Sequence, residues 1–150
     1  HRRLLRAYGV AIVASVAAGA LTAMLTAAAI AEWGGLPREV VVSILPKGVS
    51  IPFAVEISRI YQGIPALSAA FVVATGTLGS LFGAWLLNRS GIDHPVARGL
   101  ALGTVSHAQG TATALLEGEE QGAMAGLAMI LAGVFTAGFA PVVVRLLGLL

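Results

Sequence analysis

Two polar interruptions set among long apolar runs constrain this chain most. One reads Leu45-Pro46-Lys47-Gly48-Val49-Ser50-Ile51-Pro52, and the other Gly103-Thr104-Val105-Ser106-His107-Ala108-Gln109-Gly110-Thr111. Helix breakers and ionisable groups are costly in hydrocarbon. They persist at membrane depth only where broken backbone is buried in protein or lines a wet cavity. Each interruption follows an apolar helical run, so the pattern predicts a transporter-like core with a polar site near the bilayer midplane.

Composition agrees with a membrane setting. The 150 residues are 57% hydrophobic and 11% charged, where a soluble domain carries roughly 25% charged residues. Runs without charge cover 7–31, 60–88, 99–116 and 121–144. Three of them reach the roughly 20 residues needed to span. The expected fold class is an all-α integral membrane protein, with about three full transmembrane helices and two broken or re-entrant segments. One membrane domain over 1–150 fills this length. The absence of cysteine excludes disulfides, thiol nucleophiles and thiolate metal sites. His1, His94 and His107 lack metal-ligand spacing, so no metal and no cofactor is expected. The net charge of +2 sits mostly at run ends. That placement reads as membrane orientation, with no nucleic-acid partner. The chain opens on His1-Arg2-Arg3 without Met and is expected to be the C-terminal core of a longer chain.

Along the chain, helices are expected over 8–31, 65–88 and 121–147. Broken helical segments are expected over 38–61 and 95–116. Trp33 suits a membrane interface, and Pro37 suits a first helical turn. Gly76, Gly79 and Gly83 open a small-residue groove for close packing. Residues 88–94 read as a loop. Pro141 is expected to kink the end of the last helix. The order is helix, broken helix, helix, broken helix, helix, an internal repeat offset by roughly 60 residues. Re-entrant hairpins make the repeats inverted; spanning broken helices make them parallel. With the N-terminus cytoplasmic, re-entrant hairpins place Arg2, Arg3, Arg6, Arg89 and Arg98 inside, which obeys the positive-inside rule better.

The candidate site residues come from the interruptions. Lys47 lies between Pro46 and Pro52 and beside Gly48. A buried lysine there offsets its burial cost through an anionic partner; the plainer reading is a lysine snorkelling to the interface. Ser50 and the N-terminus of the half-helix after Pro52 form a ready anion site, or Ser50 simply caps that helix. His107, with Ser106, Gln109, Gly110 and Thr111 around it, suits anion binding or proton relay, or a core histidine bridging two helices. Glu56 is expected to pair with Arg59 at i,i+3. Glu117, Glu119 and Glu120 are read as a solvated turn. No nucleophile–base set, paired-carboxylate signature or phosphate loop is present, so no enzyme is predicted.

The segment Leu45 to Pro52 resembles the Leu-Pro-Lys-Ser-Val-Thr-Thr-Pro motif of the LrgB/CidB membrane proteins. Gly99-Leu100-Ala101-Leu102-Gly103-Thr104, continuing through His107-Ala108-Gln109-Gly110-Thr111-Ala112, is similar to a second motif of that family, and Gly126-Leu127-Ala128-Met129 continues the likeness. Gly48 and Ser50 stand where the family has Ser and Thr. The resemblance implies a multi-pass protein of the bacterial inner membrane. It also implies one of two roles: transport of small monocarboxylates (pyruvate, glycolate or glycerate), or holin- and antiholin-like control of murein hydrolase activity. It implies Lys47, Ser50, His107 and Thr111 as the polar site, to which the residue reading adds Gln109. The expected partners are a small carboxylate, the lipid bilayer, a second copy in a homodimer, and a small LrgA/CidA-type membrane protein.

Overall fold

The computed structural model describes residues 1–150, all helices and short connections. In order these are α1 (Arg2–Trp33), α2 (Arg38–Ile44), α3 (Ile51–Ile60), α4 (Pro65–Arg89), α5 (Pro95–Glu117) and α6 (Glu119–Leu146). Three of them, α1, α4 and α6, are long and apolar enough to cross a membrane. At a rise of 1.5 Å per residue they measure about 48, 37 and 42 Å, more than a hydrocarbon core of about 30 Å. By the same rule α2 and α3 measure about 10 and 15 Å, so neither can cross.

Two boundaries move outward from the sequence reading. α1 starts at Arg2, because Arg2, Arg3, Leu4, Leu5 and Arg6 are good helix formers. α6 starts at Glu119, where Glu119 and Glu120 sit in the first turn and complement the helix dipole. The expected acidic turn is therefore mostly a helix start, joined to α5 through Gly118 alone. α6 runs on through Pro141 to Leu146.

α1 buries a stripe at helical spacing, Ile12, Val16, Ala20, Met24, Ala27, Ala28 and Ala31. Met24, Ala28 and Ala31 join Val41, Val42, Leu45, Val143 and Val144 in the largest apolar cluster, which ties α1 and α2 to the end of α6. α5 lies closest to α6, and the glycines of α5 explain why. A β-carbon on Gly99 or Gly103 would collide with the backbone of Gln121 or Ala125. Leu78, Leu81, Phe82 and Trp85 of α4 stay exposed, an apolar face suited to a nonpolar surrounding.

Both broken segments double back. Arg98 and Glu117 sit at the two ends of α5, and their side chains form a bidentate pair at 2.7 and 2.6 Å. In a continuous helix they would be about 28 Å apart. α5 is therefore a hairpin, and it turns at His107, the one non-helical residue inside it. The first broken segment closes the same way. Arg38, at the start of α2, donates through Nη2 to the Tyr61 carbonyl just past α3, at 3.1 Å. Ser43 Oγ accepts from the Ile64 amide at 2.7 Å, and Ser68 donates to the Ser43 carbonyl at 2.8 Å, sealing the hairpin against α4.

The two hairpin mouths lie at opposite ends of the bundle. The start of α1 is beside the second hairpin's mouth, where His1 approaches Glu119 at 3.8 Å and Tyr8 packs edge-on against His94. The chain's last residues are beside the first hairpin's mouth, where Arg38 Nε also donates to the Leu149 carbonyl. Helix plus hairpin thus occurs twice, inverted, with α6 added. Arg38 and Arg98, the two mouth arginines, are 60 residues apart, as are Lys47 and His107 at the two tips.

Candidate functional site at the hairpin tips

The first tip spans Leu45 to Ser50. Pro46 supplies a fixed φ and Pro52 lies in the first turn of α3, so no continuous helix can form between them. Gly48 lies against the second hairpin: a β-carbon there would make ordinary contact, 3.7 Å from the Thr104 carbonyl and 3.8 Å from that of Val105. The two tips therefore touch, each having entered from its own end of the bundle.

The second tip turns at His107, whose φ of 42° and ψ of −126° belong to a region that favours glycine. A non-glycine held there costs on the order of 1–3 kcal/mol. His107 Nε2–H donates to the Val72 carbonyl at 3.0 Å. A neutral ring so held carries its lone pair on Nδ1. The α4 groove expected from sequence receives this tip: β-carbons on Gly76, Gly79 and Gly83 would strike the side chains of Gln109 and His107, of Ser106, and of Leu102 respectively. Gly110, read from sequence as part of the break, lies in the returning half of the hairpin. Its missing side chain lets that half approach the Leu102 carbonyl.

Lys47 and His107, expected in one site, line two neighbouring cavities divided by the second tip. Lys47 is half-buried and shares a cavity of about 630 Å³ with Thr75, Leu78, Phe82, Leu86 and Ser106. His107 shares one of about 370 Å³ with Ser50, Pro52, Val72 and Gln109. The reason is the turn itself: adjacent residues Ser106 and His107 face opposite sides of it. Lys47 takes part in no ion pair.

The remaining expectations sort as follows. Ser50 occupies the cap position of α3 but makes no side-chain cap bond. The amides of Ile51 and Phe53 are likewise without a backbone acceptor, and Ser50 and Ile51 line the smaller cavity. Gln109 Nε2 donates to Thr77 Oγ1 at 3.3 Å. Thr111 lines neither cavity; its hydroxyl donates to the His107 carbonyl at 2.8 Å and supports the turn. Glu56 pairs with Arg59 at 2.6 Å as expected. Glu117 corrects the sequence reading: it is the mostly buried partner of Arg98 and not part of a solvated turn. Arg38 and Arg98 were not singled out as site positions from sequence, whereas Ser106 was read there as a hydrogen-bonding neighbour of His107. The 60-residue offset between Arg38 and Arg98 was the available signal.

The family's sequence profile, described as LrgB-like, matches residues 1–146. The chain belongs to the LrgB-like family. An uncharacterized Bacillus subtilis protein, YwbG, is 36% identical over 138 residues, covering 92% of this chain and 61% of the relative. The Holin-like protein CidB of Staphylococcus epidermidis is 35% identical over 112 residues, 75% of this chain and 49% of the relative. The Antiholin-like protein LrgB of Bacillus cereus is 32% identical over 144 residues, 96% of this chain and 63% of the relative. The chain thus spans between 49% and 63% of the length of these LrgB-like proteins. No solved structure matches.

Proposed function

We propose that this LrgB-like protein is a carrier for small monocarboxylates of the pyruvate, glycolate and glycerate class, and not an enzyme. One observation carries the reading: inverted hairpins meet tip to tip, and the first tip carries a half-buried lysine that takes part in no ion pair. A partly buried cation without a partner favours an anionic ligand. The substrate carboxylate binds Lys47, and the free amides of Ile51 and Phe53 with Ser50 offer a second anion-binding point at a helix N-terminus. His107 and Gln109 bind keto or hydroxyl oxygens, or pass a proton through His107 Nδ1. Thr111 holds the turn in shape. Movement of the hairpin unit against α1 and α6 gives alternating access.

The membrane is a bacterial inner membrane, with the Arg2–Arg3–Arg6 end and Arg89 on the cytoplasmic side. The protein works as a homodimer or with a small LrgA/CidA-type membrane protein. Saturable uptake of labelled pyruvate or glycolate into proteoliposomes tests the reading. It is expected to fall at least tenfold in Lys47→Met and in His107→Ala; unchanged uptake in both removes the site.

A second reading, a holin- or antiholin-like regulator, is favoured by the printed names of the Staphylococcus and Bacillus cereus relatives. It predicts dye leakage that does not saturate and does not depend on Lys47.

A further inference from the structure

We infer that the first half of α4 is the seam between two copies of this chain, and that the second copy closes the outer side of the His107 cavity. This rests on the carrier reading and names the partner that completes its smaller cavity. Two independent observations fall on one face. The first is polarity at membrane depth. Thr77 is the midpoint of α4, and Gln109 donates to its Oγ1 at 3.3 Å, with both side chains exposed. Gln109 Oε1 and the second amide hydrogen on Nε2 bond to nothing else in the chain. Beside them the Ile51 amide has no acceptor, and Ile51 is 42% exposed. Hydrocarbon offers such groups no partner, so a surface that carries them is covered by protein. The second half of α4 differs: Leu78, Leu81, Phe82 and Trp85 need no cover.

The second observation is shape. Ala66, Ala70 and Ala74 recur every fourth residue on the exposed side of α4, and Val73 and Thr77 continue that face. Small residues at this spacing let two membrane helices approach to backbone contact. A twofold axis along the membrane normal keeps both copies in one orientation and sets Ala70 and Ala74 against their own counterparts. The bulk of Leu81 and Trp85 prevents an equally close approach further along. The two α4 helices therefore cross near residues 70–74 and part toward the second hairpin's mouth. Gln109 fits the same symmetry. Its amide is both donor and acceptor, so two copies pair through it and leave neither bare. The small cavity then gains an outer wall. Its rim residues Ile51, Pro52, Val73, Ala108 and Gln109 are exposed in one copy, and α4 of the second copy covers them.

The chain has no cysteine, so single cysteines report this seam in proteoliposomes of the intact protein. Under copper-catalysed oxidation, Ala70→Cys and Ala74→Cys are expected to run mainly as a disulfide-linked dimer. Trp85→Cys, on the parted half of the same helix, is expected to link about fivefold less or lower, because a disulfide needs Cα atoms within about 7 Å. Ala70→Leu puts a wedge at the crossing, at an exposed position. It is expected to weaken dimer formation about tenfold and to lower saturable carboxylate uptake severalfold, although it touches neither Lys47 nor His107. Ala74→Leu is expected to do the same. No linkage at 70 or 74 overturns the inference and shows that this face has another cover. Equal linkage at all three positions also overturns it, because random collision links them alike. A wedge that separates the copies and leaves uptake unchanged overturns the closing role of the second copy. Linkage at 70 and 74 in a protein that takes up no carboxylate upholds the seam and removes the carrier reading.

Discussion

Breaking the Arg98–Glu117 pair is the sharpest perturbation the structure offers. Both side chains are mostly buried, at 9% and 18% exposed, and the pair is bidentate. Arg98 also donates through Nη1 to the Ile92 carbonyl at 2.8 Å. Removing one member of a buried pair costs about 3–5 kcal/mol, because the other charge is left without a partner. Water reaches the partly exposed Glu117 side, so we expect about 2–4 kcal/mol for Glu117→Leu. Arg98→Met should cost similarly, with about 1 kcal/mol more for the lost Ile92 bond. The double variant removes both charges together and should cost only about 1–2 kcal/mol, since apolar replacements of buried pairs are often nearly neutral. The coupling between the two sites is then on the order of 5 kcal/mol, with the single variants worse than the double. Urea unfolding in micelles, followed by helical circular dichroism, measures all four corners of the cycle. Additive single costs, with coupling below about 0.5 kcal/mol, would mean the two ends of α5 are not in contact. The re-entrant reading would fall with that result.

Other outcomes follow from the same geometry. The chain has no cysteine, so single cysteines report topology directly. Asp93→Cys and Glu119→Cys should label with a membrane-impermeant maleimide from one face, and Leu36→Cys from the other; labelling of Asp93→Cys and Glu119→Cys from different faces means that α5 spans. Gly103→Ala meets the Ala125 backbone, which cannot yield cheaply, and should cost about 3 kcal/mol or more in the same unfolding assay. Gly76→Ala meets the far end of the flexible Gln109 side chain and the His107 ring instead. It should cost about 1–3 kcal/mol in stability, because the His107 ring is buried and held to Val72, and reduce saturable uptake severalfold. His107→Gly should relieve about 1–3 kcal/mol of backbone strain but give up the bond to Val72 and the packing of a buried ring, leaving stability lower than that of His107→Ala by no more than about 1 kcal/mol, or higher, while uptake is lost in both.

Hydropathy and helix breakers are local properties, and they made most of the architecture legible. The spanning segments, the breaks at Pro46–Pro52 and at His107, the Glu56–Arg59 pair and the glycine groove of α4 all follow from neighbours within a few residues. Near misses came where a local signal was ambiguous. Glu119 and Glu120 read as a turn because an acidic run suits either a loop or a helix start, and the dipole decided for the helix. Glu117 looked solvated because its partner, Arg98, lies 19 residues away.

The sequence by itself determined that apolar helices are interrupted twice and that a lysine and a histidine occupy those interruptions, because the cost of polar backbone in hydrocarbon is written residue by residue. Only the tertiary structure decided that each interruption doubles back, that the two hairpins enter from opposite ends, and that Ser106 and His107 send Lys47 and the imidazole to separate cavities. Those outcomes depend on which distant surfaces meet: Arg38 with Tyr61 and Leu149, Arg98 with Glu117, and bare glycine faces with the tip that fills them. Contact between residues far apart in sequence is selected by the packing of the whole bundle, and no local pattern specifies it.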